Sequence, residues 1–70
     1  MFRVSQRGEG IDYPDTTDGA RAIVQDQPPG RYDVDEIWAE PSPSGHTSRS
    51  WGRMNRHPDG RVEEEPHSWP

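Results

Sequence analysis

Seventy residues with 13 acidic and 8 basic side chains, no leucine and only eight Ile, Val and Phe residues leave room for one small domain without a large core. The absence of cysteine excludes disulfides, thiolate catalysis and cysteine-based zinc sites. No apolar run approaches the roughly 20 residues of a membrane span, and MFRVSQRGEG lacks the apolar centre of a secretory signal, so a soluble, cytoplasmic protein with no membrane partner is expected.

Phe2-Arg3-Val4-Ser5-Gln6 alternates apolar and polar residues, which predicts a strand over 2–6. Gly8 and Gly10 break it. Ile11 and Tyr13 then fall in a loop ending at Pro14, from which they can fold back over the core as a lid. Asp15 or Thr16 can cap a helix and Asp18 adds negative charge to its first turn. Ala20, Ile23 and Val24 form one apolar stripe at spacings of three and four. Pro28 and Pro29 end the helix, which is expected over 16–26. Gly19 inside it costs about 1 kcal/mol relative to alanine.

Pro29-Gly30 is a turn, and 31–39 reads as the longest strand. Tyr32, Val34 and Trp38 share one parity, with Asp33 and Asp35 on the other. Ile37 has the wrong parity. A bulge near Asp35-Glu36 would correct it; alternatively, both faces are partly covered at that end. Residues 40–46 are a loop by composition. The chain then runs SRSWGRMNRHPDGRVEEEP. Pro58 and Gly60 suit a three-residue hairpin loop with a glycine in the left-handed region. That loop pairs His57 with Arg61, Arg56 with Val62, Met54 with Glu64 and Arg53 with Glu65, over strands 48–56 and 61–65. A two-residue loop would oppose Arg56 and Arg61, which repel. In the preferred register Gly52, Met54 and Val62 line the core face. Arg49, Trp51, Arg53 and Asn55 line the exposed one. Residues 67–70 form a tail.

The expected fold is therefore a single small α+β domain over 1–66 of order β-α-β-β-β. One helix packs on a mostly antiparallel sheet that ends in a C-terminal hairpin. A right-handed crossover through the helix permits the strands at 2–6 and 31–39 to lie parallel. The alternative raised by the sparse apolar content and the net charge of −5 is disorder. The agreement between cap, stripe, breaker and turn signals argues for folding.

Chemistry is thin. No motif surrounds the serines and threonines of the 42–50 region, and a domain this small rarely encloses a water-excluding pocket. His46, His57 and His67, with Asp59 or the glutamates at 63–65, could converge on a metal. Their spacings of eleven and ten fit no zinc motif. Gly8-Glu9-Gly10 lacks the third glycine and the helix of a phosphate loop. No catalytic residue, metal or cofactor is expected, and no motif is specific enough to place the chain in a family.

Two surfaces remain. Arg49, Trp51, Arg53 and Arg56 form a basic-aromatic set of the kind that grips single-stranded nucleic acid. The competing reading is cross-strand pairing with Glu63, Glu64 and Glu65. Asp33, Asp35, Glu36 and Glu40 form an acidic set that could meet a basic protein, as an inhibitor or nucleic-acid mimic of the phage anti-defence type does. The competing reading is a solvated face that keeps a small protein soluble. Three tryptophans over a small core favour extra burial against a partner. The primary expectation is a non-enzymatic protein-interaction or regulatory module, with a homodimer as one form. Nucleic-acid binding and acidic inhibition are the alternatives.

Overall fold

Alternation at the N-terminus sets the first strand, and each later element is placed against it. The computed structural model describes residues 1–40, 43, 45 and 47–67. The chain runs β1 (Phe2–Gln6), β2 (Glu9–Asp12), α1 (Thr17–Gln25), β3 (Gly30–Ile37), β4 (Ser48–Arg56) and β5 (Val62–Pro66). The strands form one sheet in the order β2-β1-β3-β4-β5, with every neighbouring pair antiparallel. The fold is α+β, one helix packed on an antiparallel sheet. The element order differs from expectation by the addition of β2.

That added strand replaces the loop and lid expected after Gly8. Gln6 pairs with Glu9, so Arg7 and Gly8 form a two-residue turn. Both have positive φ, 54° and 83°, the geometry that matches strand twist in tight hairpins. An arginine is an unusual occupant of that position, which hides the turn in the sequence. Ile11 and Tyr13 do not cover the core; both are exposed.

β2 also sets the direction of α1 and β3. It brings the chain back to the start of β1, where the Phe2 amide donates to the Pro14 carbonyl at 2.8 Å. The helix then runs the same way as β1, and β3 returns antiparallel, pairing Val4 with Val34. The parallel arrangement of these two strands therefore does not occur. It needed the helix to start at the far end of β1.

Thr16 caps α1, its hydroxyl accepting from the Gly19 amide at 3.0 Å, and Asp26 closes it. The helix end is fastened to the sheet by the Tyr32 hydroxyl, which donates to the Pro28 carbonyl at 2.6 Å. Ala20 and Val24 face the sheet. They meet Val4, Tyr32, Val34 and Met54 in a small core, flanked by half-buried Phe2, Ile23, Trp51 and Val62.

A bulge interrupts the β3–β4 ladder. Val34 pairs with Gly52 but Asp35 pairs with Ser50, which leaves Trp51 as the extra residue. The irregularity thus falls beside Asp35, but the inserted residue is on β4. β3 itself is regular, and Ile37 and Trp38 are both half-buried, as the second of the two expectations has it. Gly52 makes this possible. Its φ is +147°, and a Cβ there would stand 2.3 Å from the Glu65 carbonyl oxygen of β5. Gly52→Ala is expected to cost roughly 2–4 kcal/mol through strain and forced separation of β4 from β5, read as a lower urea midpoint by tryptophan fluorescence.

Candidate functional site

The C-terminal hairpin forms in the predicted register. Arg56 pairs with Val62, Met54 with Glu64 and Arg53 with Glu65. The His57 amide donates to the Arg61 carbonyl at 2.8 Å and the Gly60 amide to the His57 carbonyl at 3.0 Å. Asp59 tightens the turn by accepting from the Arg61 amide at 3.0 Å. That bond holds the Asp59 carboxyl below its ordinary range, with the nearby Arg61 and His57 charges acting the same way.

The predicted basic-aromatic face does not assemble. Past the bulge, every residue toward the start of β4 changes side. Trp51 turns inward and packs against the core cluster. Arg49, opposite Glu36, lies on the helix-bearing face. Its Nε donates to Glu36 Oε1 at 3.0 Å, and its guanidinium stacks 5.8 Å from the centre of the Trp38 ring. Arg53 stays on the outer face, 3.9 Å from Asp33. Arg56 donates to the Gln25 carbonyl at 3.1 Å, at the end of the helix, and to the His57 carbonyl. The sequence held one warning of this rearrangement: a glycine inside a strand pattern is a common mark of a bulge.

The acidic set is also divided. Asp33 and Asp35 lie on the outer face, against Arg53 and against Arg3 at 3.0 Å. Glu36 is on the other face with Arg49. Glu40 follows β3 and is exposed. The outer face is thus a mixed-charge ladder, continued by Arg31 Nε donating to Asn55 Oδ1 at 3.3 Å and Asn55 Nδ2 donating to Glu65 Oε2 at 2.9 Å. Arg21 ties the helix to β5 through Glu64, Nη2 to Oε2 at 2.7 Å. This bond, with the Glu64 charge, raises the Arg21 pKa.

Of the histidines, His57 and His67 flank β5 and its turn, and His46 lies outside the described residues, as does Trp69. His57 Nε2 is buried without a hydrogen-bond partner among the described residues. Among the described residues no group of three His, Asp or Glu side chains is placed to hold a metal, and no helix is long and apolar enough to cross a membrane.

A surface that sequence reasoning treated as a loop carries the exposed apolar groups instead. Among the described residues the large exposed hydrophobics are Met1 at 55%, Ile11 at 36% and Tyr13 at 54%. Ile11 is in β2 and Tyr13 follows it. The Phe2–Pro14 hydrogen bond brings Met1 to the same corner. The Tyr13 ring lies over Gly10, its hydroxyl 3.0 Å from where a Cβ would stand, beside the Arg3 stem. All four residues of β2 are exposed, and among the described residues the strand is paired on one side only. The other edge, β5, is guarded by Glu63, Glu64 and Glu65 and by Pro66, which has no amide to donate.

Comparison of the chain with protein-family models, with curated proteins and with solved structures finds no match.

Trp51→Ala is expected to destabilise the fold by about 2–3 kcal/mol, as loss of a packed aromatic does, whereas Arg53→Ala changes stability by less than about 0.5 kcal/mol. Chemical denaturation of the two variants side by side separates core from surface. Because the folded-state pKa of Asp59 is depressed, its stabilising contribution is present above the unfolded value and is lost as pH falls through the folded one. Asp59→Ala should therefore melt below the parent near neutral pH, and the gap should close as the pH falls into the acid range below the ordinary carboxylate value. Thermal melts across that range check it.

Proposed function

We propose that the protein is a non-enzymatic protein-interaction module that receives its partner along the β2 edge. The observation that carries this reading is the exposure of Ile11 in β2 and of Tyr13 directly after it, at the sheet edge that, among the described residues, has neither proline nor a glutamate run. Exposed apolar side chains beside an open edge strand are the features by which an extended segment adds to a sheet. The backbone supplies hydrogen bonds and the side chains supply burial. A second copy of the chain is one occupant of such an edge. The reading places the module in the cytoplasm, where a chain without cysteine lacks nothing by having no disulfide.

Nucleic-acid binding through Arg49, Trp51, Arg53 and Arg56 draws less support. Trp51 is committed to the core, Arg49 and Arg53 each face a carboxylate, and Arg56 is engaged with backbone carbonyls. The acidic reading survives in altered form. Three of the four residues proposed for it, Asp33, Asp35 and Glu36, sit against arginines. Glu9, Asp12 and Asp15 do not, and they lie in β2 or just after it.

Photo-cross-linking in the cells that make the protein tests the reading. A probe at position 11 should give a discrete, nuclease-resistant protein adduct, while the same probe at position 53 should give none. Equal adducts from both positions, or nuclease-sensitive adducts from 53, would sink it.

A further inference from the structure

Resting on that reading of the β2 edge, we infer that the partner it takes is a basic segment in extended conformation. Three observations converge. No strand pairs with the outward side of β2 among the described residues, and the Asp12 carboxylate there accepts only from the neighbouring Tyr13 amide at 2.8 Å. The apolar side chains there, Ile11 in β2 and Tyr13 just after it, are exposed. The third is charge. Glu9 and Asp12 in β2, and Asp15 just before the helix, are exposed, and none has an arginine within ion-pair distance among the described residues.

Position puts these charges where an added strand would feel them. Glu9 pairs with Gln6 and Asp12 with Val4, so both project on the helix-bearing side of the sheet. Glu9 and Asp12 share that side although three residues apart, because the β1–β2 ladder is bulged at Ile11; an incoming strand presents alternate side chains to it. Cationic residues on that parity would meet Glu9 and Asp12, and apolar residues on the other parity would meet the Tyr13 ring. Tyr13 also offers a π-face to an arginine or lysine. A second copy of the chain fits less well. It would bring another net charge of −5 to an edge that already carries unpaired carboxylates.

The test uses the full chain, isotopically labelled, and two synthetic octapeptides. One alternates arginine with valine and threonine; the other has glutamate in place of arginine. The cationic peptide should shift the amide resonances of residues 9–13 and slow their exchange with solvent. Its affinity should fall roughly fivefold between low and moderate salt, and by a similar factor in the double variant Glu9→Gln/Asp12→Asn. Both substituted side chains are exposed, so an unchanged melting temperature shows that the variant still folds. If both peptides bind alike at residues 9–13, the edge reading stands and the basic partner is overturned. If the shifts map to the outer face or to β5, or no peptide perturbs the chain, the edge reading falls with it. If the resonances of residues 9–13 move with protein concentration alone, the occupant is a second copy and the inference is wrong.

Discussion

The contact on which most of this structure depends is the approach of β4 to β5 at Gly52. The backbone of Glu65 and Pro66 occupies the space where any other residue would carry its Cβ. Because that space is free, the strands stay paired across a bulge, and the bulge seats Trp51 against the core. Among the described residues the core has six buried apolar side chains, so one more aromatic contributes a large share of its burial. The same rotation carries Arg49 to the helix side, where Glu36 and the Trp38 ring receive it. What looked like one basic-aromatic surface becomes part of the packing and two separate ion pairs.

The turn at Arg7-Gly8 has a comparable reach. By returning the chain to the start of β1 it fixes where the helix begins, and so the direction of β3. It also leaves the molecule with two unlike edges. One is guarded by glutamates and proline; the other is short, exposed and flanked by Ile11 and Tyr13. A sheet this small needs both edges managed to stay soluble. The unequal treatment of the two edges is the physical ground for placing a partner at β2.

Charge serves mostly internal purposes. Arginines and carboxylates alternate across the outer face, from Arg3–Asp35 through Asp33–Arg53 to the Arg31–Asn55–Glu65 relay. Exposed pairs of this kind add little stability, but like charges directly opposite would cost register. The surplus negative charge, which composition alone shows, is therefore concentrated in the groups that the ladder does not use.

The sequence by itself determined the elements whose signals act within a few residues. The strand at 2–6 follows from alternation, the helix from the Thr16 cap and the Pro28-Pro29 stop, and the hairpin register from Pro58, Asp59 and Gly60. These depend on local dihedral preferences and on hydrogen bonds a turn apart, so they can be read in order along the chain. The candidate site was not legible in that way. The side taken by Trp51 depends on Gly52 meeting Glu65, thirteen residues away, and the identity of β2 as a strand depends on pairing with β1 through a turn that arginine disguises. Only the tertiary structure decided those points. A period-two pattern assigns faces correctly until one residue is inserted, and whether it is inserted depends on what the neighbouring strand allows.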